Sequence, residues 1–187
     1  MTLRPLWLLL VLGAAARAEP PATPAAPCAL AAAHLHARLS GAVSEEIDWS
    51  PPLLECDGMP RADGGIRLRF TGPARGGPLV VVLGMPTLAA GASARAVPVN
   101  VTLIPEGRHV YGTRGTDKCV LDEVSQTALP PAGGNQQWQV AARGFCLEPA
   151  RAVGGDDAIL LTTFELTGLV TVEPDEGPAA AAEPATP

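Results

Sequence analysis

Four cysteines and three histidines are the side chains of this 187-residue protein best equipped for chemistry. Cys28, Cys56, Cys119 and Cys146 can form two disulfides in an oxidising compartment. As thiolates, Cys28 and Cys56 could instead join His34 and His36 around zinc or copper, with Met59 and Met85 as soft ligands. His34 and His36 diverge on a helix and share a face only in an extended segment. His109, the third histidine, has no serine close in sequence, so a hydrolase would have to assemble its site from distant residues such as Ser93 or Ser125. The chain has no Gly-x-Ser-x-Gly elbow, His-Glu-x-x-His motif, P-loop or dinucleotide fingerprint, and no catalytic residue, cofactor or metal is assigned.

Acidic pairs offer a second kind of chemistry. Glu45, Glu46 and Asp48 precede Trp49, an order reminiscent of carboxylates beside an aromatic sugar platform. Glycosidase chemistry needs two carboxylates held about 5 to 10 Å apart across a cleft, which adjacent residues do not establish. A solvated loop is the expected setting for these acids and for Asp156-Asp157, which lack the spaced oxygen ligands of a calcium loop. Arg67 and Arg69, with Arg143, could meet an anion, but an ordinary charged sheet face is the preferred reading. Asn100-Val101-Thr102 fits a glycosylation sequon and reads here simply as strand.

Compartment decides between thiolate and disulfide, and the N-terminus speaks to it. Arg4, an apolar run from Leu6 to Ala16 and the small-residue end Ala16-Arg17-Ala18 predict a signal peptide over residues 1–18, cleaved before Glu19. The run falls short of the roughly 20 residues that span a bilayer. Its removal leaves 11 basic against 19 acidic residues, taking the net charge from −6 to −8. So acidic a chain lacks the clustered cations that nucleic acid or an anionic membrane requires. Lys118 is the only lysine, and abundant alanine, glycine and proline suggest a GC-rich bacterial gene. The predicted location is therefore periplasmic or secreted, with the cysteines as two disulfides.

The elements that must position these residues are strands. Residues 19–27 read as a Pro/Ala spacer, 174–187 as a disordered Ala/Pro/Glu tail, and 28–173 as a single domain. Period-two alternation and short apolar runs predict strands over 66–70, 79–83, 97–103, 108–113, 119–127, 137–146 and 158–172. Turn residues separate all seven, so the expected fold is a mainly β, antiparallel sandwich of about seven strands. One short N-terminal helix is expected over Ala29–Leu39, which is rich in alanine and leucine and free of glycine and proline.

A hairpin register chooses among the three possible cysteine pairings. With Cys119 opposite Cys146, Val120 falls opposite Phe145, Asp122 opposite Arg143 and Gln126 opposite Gln139, aligning apolar partners and opposite charges across a loop at 128–137. Cys28 and Cys56 are then left to pair. The function expected of such a chain is non-enzymatic binding or interaction with another protein or a cell-surface component. The leading candidate contact region is the small-residue loop from Pro86 to Ala96. The alternatives are an exported hydrolase and a periplasmic metal-binding protein using Cys28, His34, His36 and Cys56. The sequence does not specify an oligomeric state.

Overall fold

A computed structural model describes residues 28–174. The expected signal peptide and spacer lie outside the described residues, as does the expected tail beyond Pro174. Eleven strands run in chain order: β1 His34–Gly41, β2 Glu45–Trp49, β3 Glu55–Pro60, β4 Ile66–Ala74, β5 Gly77–Met85, β6 Ala94–Pro105, β7 Tyr111–Gly112, β8 Cys119–Ala132, β9 Asn135–Cys146, β10 Ala150–Ala152 and β11 Ala158–Val172. All their pairings are antiparallel. Six of the seven expected strands are present, the one expected over 108–113 is reduced to Tyr111–Gly112, β1, β2, β3 and β10 are additional, and the described residues contain no helix.

The helix expected over Ala29–Leu39 is instead a turn leading into β1. Leu35, Ala37 and Leu39 are buried while His36, Arg38 and Ser40 are exposed, a period of two. Leu35 and Leu39 are four apart, a spacing that suits a helix face and a strand face equally well. Packing decides the matter: β1 lies between β2 and β11, and every residue from His34 to Gly41 has a partner on β11, with Leu35–Leu39 also partnered on β2. The acidic segment at 45–49 is also strand rather than loop. Ile47 and Trp49 turn inward while Glu46 and Asp48 face out.

Strand order explains how one ladder surrounds one core. From one edge the sequence is β2, β1 and β11, from which two routes lead to β6. One passes through β9 and β8, the other through the short strands β10 and β7, and β5, β4 and β3 complete the sheet. Long strands make this possible, since β6 pairs β8 over Ala94–Val99 and then β7 at Thr102 and Leu103. Pro98 fits because β5 joins β6 only from Asn100 onward, so β6 has a single neighbour where the proline stands. The far edge returns, with β3 and β4 lying against β11 and β2 against β4. Phe70, Tyr111, Leu68 and Leu103 fill the enclosed space at 0–1% exposure.

Two covalent clips fasten this arrangement. Cys119 is bonded to Cys146 across directly opposed positions of β8 and β9. Cys28 is bonded to Cys56, and the Cys28 N–H donates to the Leu54 carbonyl at 3.2 Å, so the segment entering β1 is tied to the start of β3.

The β8–β9 hairpin departs from the simple register in an informative way. Cys119 and Val120 stand opposite Cys146 and Phe145, but a bulge at Asp122 inserts one extra residue. Glu123, not Asp122, therefore faces Arg143, and Gln126 faces Val140 rather than Gln139. Val124 turns into the core as a result. The expected ten-residue loop is a two-residue turn, Gly133-Gly134, in which both glycines have positive φ (59° and 84°).

Candidate functional site

Four turns gather at one end of the sheet: 42–44 between β1 and β2, 75–76 between β4 and β5, 106–110 between β6 and β7, and 153–157 between β10 and β11. Hydrogen bonds between them fix their positions. The Ala42 N–H donates to the Ala158 carbonyl at 2.9 Å, and Arg108 Nη1 donates to the Ala42 carbonyl at 3.0 Å. The Glu106 N–H donates to Pro78 at 3.0 Å and the Val153 N–H to Val110 at 2.8 Å. Gly41 makes the first turn possible: its φ is +109°, and a β-carbon there would run into the Ala158 carbonyl.

Between the first three of these turns lies a cleft of about 140 Å³. Val43, Ala74, Leu79 and Pro105 give it apolar walls, and Glu45, Arg75 and Arg108 bring charge of both signs. Glu45 Oε2 accepts the Arg75 backbone N–H at 3.1 Å. Glu45 Oε1 is buried and has no hydrogen-bond partner among the described residues. Of the buried side-chain polar atoms described, only Arg67 Nε shares that condition. Such atoms are rare in native proteins because each loses its water without replacement, and an ordered water or ion is among the recognised reasons for them. No carboxylate lies within 4.0 Å of Arg75 or Arg108 among the described residues, and no cation within 4.0 Å of Glu45. The cleft therefore holds opposite charges apart.

The residues singled out by sequence are scattered relative to this cleft. His34 and His36 project from one outer face of the extended β1, while Cys28 and Cys56 are bonded to each other, so the four do not converge. No group of three or more His, Cys, Asp or Glu side chains is placed to hold a metal ion among the described residues. Met85 is buried, and Met59 Sδ accepts from Arg67 Nη2 at 3.4 Å. His109 is exposed beside Gly155, whereas Ser93 Oγ accepts the Gln126 N–H at 3.0 Å and Ser125 lies on β8. Trp49 is 3% exposed and offers no platform to a sugar. Asp156 and Asp157 are exposed in a turn.

Charged residues outside the cleft form ordered rows. Asp48, His36, Glu165, Arg143, Glu123 and Arg95 stand successively opposite one another across β2, β1, β11, β9, β8 and β6. Glu123 takes both Arg143 at 3.6 Å and Arg95 at 3.5 Å. Exposed pairs of this kind each contribute about 0–1 kcal/mol and keep the face solvated. Arg69 pairs with Asp57 at 3.2 Å on β3, so Arg67, Arg69 and Arg143 do not form one cationic site.

The loop from Pro86 to Ala96 is clamped. Gln126 accepts the Gly91 N–H at 2.9 Å and donates through Nε2 to the carbonyls of Ala89, at 2.9 Å, and Ala92, at 2.5 Å. Leu88 is buried, and the Trp138 ring occupies the space where Gly91 would carry a β-carbon. The bulge at Asp122 sets the phase that brings Gln126 to this loop.

Sequence reasoning missed the cleft because Glu45, Arg75 and Arg108 lie some thirty residues apart, one at the start of β2 and two on separate turns. The return of β2 onto β4 and the pairing of β5 with β6 bring them together. No family model, no characterised protein and no solved structure matches this chain.

Proposed function

We propose that this protein is an exported antiparallel β-sandwich that serves as a non-enzymatic binding module in the periplasm or outside the cell, taking its ligand in the cleft at the turn end. The return of β2 and β3 onto the sheet supports the sandwich, and the two disulfides accord with an oxidising compartment. One observation carries the binding reading: the turns bring Glu45, Arg75 and Arg108 from distant parts of the chain around one partly apolar cleft. Turn clusters at the end of a rigid β scaffold are a common place for binding residues.

Two measurements test this. Intact mass of the exported protein, with and without reduction before alkylation, is expected to give a chain starting at Glu19 that takes up four alkyl groups only after reduction. A chain retaining residues 1–18, or one with free thiols, removes the case for export. A fragment screen followed by ¹⁵N-resolved NMR is expected to shift the amides of 42–45, 74–77 and 106–108. Hits confined to other surfaces, or no hits, overturn the assignment of the cleft.

A further inference from the structure

We infer that Met59 is a modification site: an oxidant of the peroxide class converts it to the sulfoxide, and Arg67 then holds the new oxygen, so that β3 keeps its place in the sheet. The two methionines among the described residues differ in access. Met85 is 1% exposed in the core, whereas Met59 is 45% exposed on β3, a strand hydrogen-bonded to β4 alone. With Arg61, Asp63 and Arg67, Met59 lines an open depression of about 430 Å³, which admits a small oxidant and leaves room for an added atom. Oxidation of a sulfur side chain follows its exposure.

Arg67 stands opposite Met59 across β3 and β4, and its Nη2 donates to Met59 Sδ at 3.4 Å. A thioether sulfur is a weak acceptor. No carboxylate lies within 4.0 Å of Arg67 among the described residues, while Arg61, the other cation lining the depression, is held by Asp63. In the oxidation a sulfur lone pair attacks one oxygen of hydrogen peroxide, the O–O bond breaks and water leaves; sulfur gives up two electrons and the peroxide takes them. The sulfoxide oxygen carries partial negative charge, and a cationic donor bonds it more strongly than it bonds the sulfur. The unbranched, flexible methionine stem lets that oxygen turn to the guanidinium without moving the backbone. Oxidation disrupts a methionine packed in a core, but at Met59 it strengthens a cross-strand contact.

The test exposes the folded, disulfide-intact protein to hydrogen peroxide and locates added oxygen by peptide mass spectrometry, with urea midpoints read before and after. Met59 is expected to be oxidised at least about tenfold faster than Met85. The midpoint of the oxidised protein is expected to equal or exceed that of the untreated one. Arg67→Leu removes the donor, and oxidation of that variant is expected to lower its midpoint. Met59→Gln supplies an oxygen acceptor without any oxidant, and it is expected to be more stable than Met59→Leu when Arg67 is present and no more stable when either is combined with Arg67→Leu. Equal oxidation rates at Met59 and Met85 overturn the site. A midpoint that falls as far in the parent as in Arg67→Leu overturns the role of Arg67, as does a Met59→Gln variant no more stable than Met59→Leu.

Discussion

Trp49 on β2 lies flat across Gly72 on β4, its ring filling the space that a β-carbon on Gly72 would occupy. Its indole N–H donates to the Pro73 carbonyl at 2.9 Å. The contact closes the core where β2 returns onto β4, and Ala74 and Arg75 of the cleft follow directly on Pro73. Gly72→Ala is expected to push the ring off its seat and destabilise the fold by about 1–3 kcal/mol, the usual cost of overpacking. Trp49→Phe keeps most of the area but drops the hydrogen bond and leaves the Pro73 carbonyl without that donor, a loss of about 1–2 kcal/mol. Urea midpoints read both, and a Gly72→Ala variant as stable as the parent would show that the strands can separate freely here.

Gln126 holds a loop that sequence composition alone would describe as mobile. Gln126→Ala removes three hydrogen bonds to residues 89–92 at once. Amide exchange at Leu88–Ser93 is expected to accelerate at least tenfold, with global stability falling by about 1–2 kcal/mol. Unchanged exchange would mean that Leu88 and the Trp138 ring hold the loop by themselves.

These two residues also show what the chain discloses and what it withholds. Strands built on isoleucine, valine and phenylalanine were legible, as at Ile66, Leu68 and Phe70, because only a strand buries that alternation. β1 was not, since Leu35 and Leu39 satisfy both periods and Ala37, the residue that breaks the tie, is the best of helix formers. Charge complementarity pointed to Asp122 opposite Arg143, yet Glu123 serves equally well, and burial of Val124 selects the bulge that puts it there. Local pattern carries pairing partners but not a one-residue insertion, whose sign is set by the far side of the core. The cleft is further still from local pattern, since it exists only once turns from three regions of the chain have met.

Asp63 gives a pH signature for the turn between β3 and β4. Arg61 donates to its carboxylate from Nε, at 2.9 Å and 3.1 Å, and from Nη2 at 2.6 Å. These hydrogen bonds first, then the Gly65 N–H and the Arg61 charge, hold the Asp63 carboxyl down at about 2. A depressed carboxylate contributes stability above its unfolded value, near 4, and loses that contribution as pH falls through about 2. The side-chain carbonyl resonance of Asp63 is expected to titrate well below those of other aspartates, and Arg61→Gln is expected to return it to the ordinary range. A parent carboxyl already titrating near 4 would refute the clamp.

The two disulfides close loops of nearly equal length, with separations of 28 and 27 residues, but they fasten different things. In the chain-entropy model each is worth about 3–4 kcal/mol through the unfolded state. Cys119–Cys146 joins strands already paired over most of their length, so its loss leaves the β8–β9 ladder to hold the same geometry. Cys28–Cys56 ties the segment before β1 to β3, and between those two elements the described hydrogen bond is the single one from Cys28 to Leu54. Cys28→Ala/Cys56→Ala is therefore expected to lower global stability by about 3 kcal/mol and also to raise amide exchange selectively at residues 28–33 and 54–58. Cys119→Ala/Cys146→Ala should match the global loss without a selective rise at its own site. Hydrogen exchange read by mass spectrometry on both variants separates the cases, and selective opening at 119–146 with none at 28–58 would reverse the assignment of which clip replaces missing strand pairing.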